Sequence, residues 1–381
     1  MNYFDNAATT YIKPDCVIEA VVQAMKSCGN SGRGGHEIAL ESSRKIYNAR
    51  KKLADFFCFE NASSIVFTGN ATESLNIALR GMLKPEDHVI TTILEHNSVL
   101  RPLYLLEHEG MEVSFIPCDE KGMPEYSTIP ELIKDNTKAI IVTHASNVTG
   151  NKVDIKKIGR MAKIHDLIFI VDASQTAGSV NINAEEMGID ILCTTGHKGL
   201  MGPQGVGILA VRKGINIEPL LVGGSGIQSF DKKHPGNMPV RLEAGTLNGH
   251  GIAGLYAALE FIEEKGIKVI LDKEQELMWR FYKGIKTLKN VKVYGDFEVE
   301  DRSPIVSLNI GNIDSAETAD ILAQEYGIAT RAGAHCAPLM HQFFGTEKQG
   351  MVRFSFGYFN TFTEVDTAIN AVRELAEDSY K

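Results

Sequence analysis

Five polar groups in this chain each stand directly behind a short apolar run. Thr68-Gly69-Asn70-Ala71-Thr72-Glu73 follows residues 64–67, and Glu95-His96-Asn97 follows 89–94. His144-Ala145-Ser146-Asn147 follows 139–143, Asp172-Ala173-Ser174-Gln175 follows 167–171, and Thr194-Thr195-Gly196-His197-Lys198 follows 189–193. If those runs are parallel strands, all five groups sit at the carboxyl ends of one sheet, where ligands bind in such folds. The turn into a helix at Ala71 offers free N–H groups and the positive end of a helix dipole, and the Thr72 hydroxyl adds a donor for an anion. Taken singly, that turn is an ordinary helix cap and each other group a satisfied polar loop. Together they supply an anion cradle, an imidazole, an amide, a carboxylate and an amine, which is the equipment of a covalent, proton-moving site.

Pyridoxal 5'-phosphate chemistry asks for that set: a lysine for covalent attachment, a carboxylate at the pyridinium nitrogen, a flat ring against the pyridine face and a phosphate cradle. Nucleotide readings lack their fingerprint, because no Walker A loop and no GxGxxG after the first strand occur. A zinc-protease HExxH is absent too, since His36-Glu37 is followed by Leu40 where the second histidine would stand. The six cysteines, at 16, 28, 58, 118, 193 and 336, form no CxxC pair, so neither a zinc ribbon nor any other metal site is expected. Scattered cysteines are ordinarily small buried hydrophobes. Cys336 reads differently: Gly333 before it and Ala337-Pro338 after it suit a shaped, exposed loop, as an accessible thiolate nucleophile requires.

The elements that must position these groups follow from periodicity. Nearly continuous Val/Ile/Leu runs predict buried strands at 64–67, 89–93, 113–116, 139–143, 167–171, 189–193 and 205–211. Helix-period segments lie between them at 71–82, 102–109 and 154–165, the rhythm of an α/β domain with helices on both sheet faces. Glycine-rich residues 221–250 break that rhythm and predict a long functional loop. Beyond it, a helix at 251–265, a strand at 305–310 and helices at 316–325 and 365–376 predict a smaller α+β unit. The expected division is a large domain of residues 15–264 and a small domain of residues 1–14 and 265–381.

Composition narrows the classes. With 381 residues, 44% of them hydrophobic, the chain can bury a core without disulfides. A net charge of -9 without a Lys/Arg stripe argues against nucleic acid as a partner. No apolar run approaches the ~20 residues of a membrane span, and the N-terminus shows neither a basic n-region nor an apolar h-region, so a cytoplasmic location is expected.

Segments spread over the whole chain resemble the class V aminotransferases, fold type I pyridoxal-phosphate enzymes, and within them the cysteine desulfurases. They are Asp5-Asn6-Ala7-Ala8-Thr9-Thr10, Ala71-Thr72-Glu73-Ser74, Glu95-His96, Ser146-Asn147, Val171-Asp172-Ala173-Ser174-Gln175, Gly196-His197-Lys198, Glu243-Ala244-Gly245-Thr246 and Arg331-Ala332-Gly333-Ala334-His335-Cys336-Ala337. The resemblance implies that Lys198 attaches the cofactor, Asp172 pairs with its ring nitrogen, Gln175 contacts its ring hydroxyl and His96 lies on its ring. It further implies that Ala71, Thr72, Thr195 and His197 hold the phosphate, with Thr246 reaching in from the second subunit of a homodimer whose active sites are shared. Asn147, Arg331 and Arg353 would bind the substrate carboxylate, a task the guanidinium fork suits. Cys336 would take the sulfur of L-cysteine as a persulfide, leaving L-alanine, and pass it to an acceptor protein in iron–sulfur cluster assembly. The cysteine segment is similar to that of the SufS-like and selenocysteine lyase group, although Ala334 stands where a second histidine is common and the chain starts almost at the Asp5 motif. L-selenocysteine is the alternative substrate, other class V lyase or aminotransferase reactions are alternatives on the same scaffold, and a non-catalytic cofactor-binding scaffold is the alternative outside enzymes.

Overall fold

The computed structural model describes residues 1–29 and 36–378. The chain opens with β1 (Asn2–Tyr3), α1 (Asp15–Ser27) and α2 (Glu37–Phe57). An alternating stretch follows: β2 (Ile65–Thr68), α3 (Ala71–Met82), β3 (His88–Thr92), α4 (Asn97–His108), β4 (Glu112–Ile116), α5 (Ile129–Leu132) and β5 (Thr137–Thr143). It continues through α6 (Ile155–Ile164), β6 (Ile168–Asp172), α7 (Ala184–Met187), β7 (Ile191–Thr195) and β8 (Gly207–Val211). The rest is α8 (Gly249–Lys265), α9 (Ile267–Ile285), β9 (Val291–Tyr294), β10 (Ile305–Ile310), α10 (Ser315–Tyr326), β11 (Ile328–Ala329), β12 (Arg331–Gly333), α11 (Pro338–Phe344), β13 (Met351–Ser355) and α12 (Phe362–Asp378).

All seven strands expected between 64 and 211 are present. They form one sheet in the order β2-β8-β7-β6-β5-β3-β4, parallel except at β8, which runs antiparallel to both neighbours. Strands β3, β7 and β8 are buried at every residue, including the polar His88, Thr91 and Thr92 of β3 and Thr194 and Thr195 of β7. Helices cover both faces. Leu53 and Phe57 of α2, Ile158 of α6 and Leu255 of α8 pack one side, and Leu75 and Leu79 of α3 with Val99 and Leu103 of α4 pack the other. A separate core joins Phe4 to Leu277 and Phe281 of α9, Leu308 of β10, Phe354 of β13 and Val372 of α12, around the antiparallel sheet β12-β13-β10-β9. Chain residues 2–3 thus pair with β11, far along the sequence.

Three departures from the periodicity reading have physical causes. Helix α4 starts at Asn97, five positions before Pro102, because the His96 side chain accepts from Ser98 N and caps an earlier turn; proline prefers the first helical position and misdirects the boundary. Helices α1, α2 and α9 show no continuous apolar run, because charged and polar residues interrupt the apolar positions along each of them. Strand β12 is three residues of Arg-Ala-Gly, stabilised by its partner β13 rather than by its own side chains. Residues 221–248 hold neither α-helix nor strand, only a short 3-10 turn at Val240–Leu242.

Candidate active site

The strand ends build the pocket. Asn70, Ala71, Thr72, His96, Ser98, Thr143, Asn147, Asp172, Ser174, Gln175, Thr195, His197 and Lys198 line one cavity at the carboxyl edge of the central sheet. Every group expected there from the apolar runs is therefore present.

The anion end is formed at α3. Asn70 Oδ1 accepts from Glu73 N at 2.9 Å and Glu73 Oε2 accepts from Gly69 N at 2.6 Å, which fixes the turn into α3 where Asn70, Ala71 and Thr72 line the pocket. Thr72 Oγ1 lies 2.7 Å from Ser98 Oγ, so the starts of α3 and α4 meet. Thr195 Oγ1 is buried without a hydrogen-bond partner among the described residues. A buried hydroxyl left unpaired is costly, and a bound oxyanion would satisfy it.

At the other end, Asp172 Oδ1 accepts from Ser174 N at 2.9 Å and Ser174 Oγ at 2.5 Å, so the carboxylate is held rigidly as β6 ends. Burial pushes the Lys198 amine down to about 8, with the nearby Arg353 and Arg331 charges acting the same way and Asp172 opposing them. Burial, with Lys198 as a second cause, pushes the His96 imidazole down to about 4. Because His96 Nδ1 accepts from Ser98 N at 3.0 Å, the ring is neutral with its proton on Nε2. His197 is likewise lowered to about 4 by burial, then by Lys198 and Lys13.

Arg353 arrives from β13 and is fully buried. Its Nη2 donates to Asp5 Oδ1 at 2.8 Å and its Nη1 to the Asn147 carbonyl at 2.9 Å, while Nε has no partner among the described residues. Arg331 stands opposite it in the β12–β13 ladder. The turn carrying Cys336 is pinned beside the pocket: Asn97 N donates to the Cys336 carbonyl at 2.7 Å, and Asn147 Nδ2 to the His335 carbonyl at 2.7 Å. His335 and Cys336 both adopt left-handed backbone, φ 50 and 56, a strained conformation for side-chain-bearing residues that such tethers must hold. Cys336 is half-buried and, with Arg331 and Arg353, lies outside the residues lining the cavity itself.

Thr246 is not brought to this pocket. It lies exposed beside a different cleft, among residues of α2 and the 224–227 segment. Four contributors were not read from the sequence. Asp5 orients Arg353. Lys13 Nζ donates to the His197 carbonyl at 2.8 Å, and Thr10 N donates to the same carbonyl at 3.2 Å, so the N-terminal segment grips the Lys198 backbone. Glu95 and the Arg50–Glu243 pair complete the set; Asp5, Glu95 and Glu243 stand in segments quoted above, but the task of each follows from a partner remote in the chain. Among the described residues no group of three or more His, Cys, Asp or Glu is placed to hold a metal ion, and no helix is long and apolar enough to cross a membrane.

The Aminotransferase class-V family matches residues 2–367. A protein of Methanothermobacter thermautotrophicus named "Probable cysteine desulfurase" is 34% identical over 385 residues, covering 98% of this chain and 94% of that protein. The apo structure of a cysteine desulfurase from Thermococcus onnurineus NA1 superposes with a TM-score of 0.91 at 34% identity, covering 99% of this chain and 94% of that one. The cysteine desulfurase CsdA of Escherichia coli superposes with a TM-score of 0.87 at 28% identity, covering 98% and 94%. Class V enzymes depend on pyridoxal 5'-phosphate, and the pocket fits that group: an unpaired threonine hydroxyl and helix amides suit its phosphate, a rigid carboxylate its ring nitrogen, and a lysine of lowered basicity its aldehyde. The chain belongs to the aminotransferase class-V family.

Proposed function

We propose that this protein is a cysteine desulfurase that converts L-cysteine to L-alanine and carries the sulfur away on Cys336. The observation that supports this most directly is the docking of the Cys336 turn on Asn97 and Asn147, one residue from His96 and against a pocket residue. The bound cofactor supplies an electron sink for the substrate's carbon atoms. Ala71, Thr72, Thr195 and His197 would hold its phosphate, Asp172 its ring nitrogen and Gln175 its ring hydroxyl, and the neutral His96 imidazole would supply a flat ring for it. Lys198 would attach it covalently, and as a free amine would move the substrate's α-proton. Its lowered basicity leaves a useful share of neutral amine near neutral pH.

Asn147, Arg331 and Arg353 bind the substrate carboxylate. The unpartnered Arg353 Nε–H is one donor waiting for it. Cys336 Sγ then attacks the substrate sulfur: the Sγ–S bond forms, the S–Cβ bond breaks with its electron pair moving to Cβ, Cβ takes up a proton, and return of the α-proton to Cα completes alanine. Production of alanine and, with dithiothreitol, sulfide in equal amounts from L-cysteine tests the reading. Turnover of cysteine to any other carbon product would overturn it.

A homodimer with shared sites belongs to the same proposal. Ile18, Val22 and Met25 form an exposed stripe at i, i+4, i+7 on α1, with Ile38 and Tyr47 exposed on α2, and apolar faces of this kind mark interfaces. Thr246, exposed in its own chain, would then serve the neighbour's phosphate. Residues 1–14 and 265–381 are proposed to act as the small domain, bringing Asp5, Arg353 and Cys336 to the large domain of residues 15–264. An acceptor protein in iron–sulfur assembly and a cytoplasmic site of action complete the proposal.

A further inference from the structure

Strands β3 and β5 are neighbours, yet their ladder ends at Ile90 and Ile140. On its other edge β3 stays paired with β4 to Thr92, and β5 stays paired with β6 to Thr143, which stands opposite Asp172. The sheet therefore splits at the carboxyl ends of β3 and β5, between the segment carrying His96 and the strand beside Asp172. Glu95, fully buried, fills the split. Its Oε1 accepts from Thr92 Oγ1 at 2.6 Å and from Thr143 N at 2.9 Å, replacing the strand carbonyl that Thr143 N would otherwise lack. Its Oε2 is buried with no partner among the described residues. An ionised carboxylate would leave charge on an oxygen that nothing solvates, whereas a neutral acid leaves only a dipole there.

We propose that Glu95 is a positioning residue that bridges the split as a neutral acid, setting the spacing between His96 on one side and the Thr143–Asp172 pair on the other. Burial pushes its carboxyl up to about 8 against the opposing hydrogen bonds from Thr92 and Thr143, with the Asp172 charge as a lesser cause in the same upward direction. Neutrality also leaves Asp172, at the end of β6, as the carboxylate that would meet the cofactor's ring nitrogen. The inference rests on this pocket being the cofactor site and not on the choice of amino-acid substrate.

Glu95→Gln keeps the acceptor and the shape without an ionisable proton; Glu95→Leu keeps the volume and removes the acceptor. The measurements are infrared difference spectra of the apo-protein, cofactor affinity, and visible circular dichroism of the bound cofactor, with Glu274→Gln as a control because Glu274 is the other buried acid pushed up to about 8. Wild type minus Glu95→Gln should show the carbonyl stretch of a protonated carboxylic acid. Glu95→Gln should keep cofactor affinity within about twofold, while Glu95→Leu, with Thr143 N left unpaired, should weaken it by about tenfold and change the visible dichroism. A carboxylate stretch in that difference spectrum overturns the neutral-acid assignment. A Glu95→Leu protein that melts lower but keeps the wild-type dichroism shows a purely structural role and overturns the positioning one. If wild type itself binds no cofactor, the reading of the pocket fails instead, and the infrared result still reports on Glu95.

Discussion

The Arg50 guanidinium and the Glu243 carboxylate meet through two parallel hydrogen bonds of 2.7 Å each, both side chains buried, beneath the loop that ends at Thr246. Glu243 Oε1 also accepts from Phe67 N at 2.7 Å, and Arg50 lies over the Phe67 ring at 4.7 Å. The pair therefore fastens an otherwise irregular loop to edge strand β2. Removing one partner strands a buried charge, so Glu243→Ala should destabilise the fold by about 3–5 kcal/mol. Denaturant unfolding at constant slope measures it; a loss under about 1 kcal/mol, the range of exposed pairs, would refute the anchoring role.

Thr246 itself carries the second prediction. A hydroxyl donating to phosphate contributes about 1.5–3 kcal/mol, so Thr246→Ala should weaken cofactor binding by roughly one to two decades. Mixed dimers of Lys198→Ala and Thr246→Ala chains locate the donor. If the loop acts across the interface, one site of each mixed dimer carries both lesions and the other carries none, restoring wild-type affinity to that site. Uniformly defective sites would mean that Thr246 serves its own chain.

Lys198 should titrate where its surroundings put it. Its amine is lowered to about 8 chiefly by burial, and the neutral amine is the nucleophile. The rate of covalent cofactor attachment to apo-protein should therefore rise as pH climbs through about 8 and level off above it, rather than continue rising toward the ordinary lysine range near 10.5. Lys198→Ala should abolish attachment. Borohydride trapping followed by peptide mapping checks the site, and a pyridoxyl group found on Lys13 would reassign it.

Cys336→Ala should leave cofactor affinity and melting temperature unchanged while stopping sulfide and alanine production from L-cysteine, since the thiol acts only on bound substrate. Undiminished turnover of L-cysteine would remove Cys336 from the reaction. Selective survival of L-selenocysteine turnover would fit selenium's readier departure.

Much of this site was legible because buried parallel strands demand continuous apolar residues, so Lys198, Asp172 and His96 stand out as interruptions. Resemblance added Arg353 and Cys336, which lie in strands and turns with no such contrast. What stayed hidden depends on pairing across the chain. Arg50 and Glu243 are 193 positions apart, and neither is unusual among the charged residues around it. Glu95 was visible beside His96, but its task follows from where a ladder stops, which no local pattern encodes. The roles proposed for Thr246 and the α1 stripe involve a second chain, which no pattern within one sequence displays.

Asp5 finds its partner at Arg353, 348 positions away, and Asn2 pairs beside Ile328. During synthesis the first residues to emerge are thus among the last to be seated. At roughly 5–20 residues per second, the ribosome needs about 15–70 s between making Asp5 and making Arg353. For that interval the strands of the central sheet have been made while Asp5 still lacks Arg353, the arginine proposed to bind the substrate carboxylate. A product that ends before β13 has the central sheet but lacks Arg353, the residue proposed to grip the substrate carboxylate.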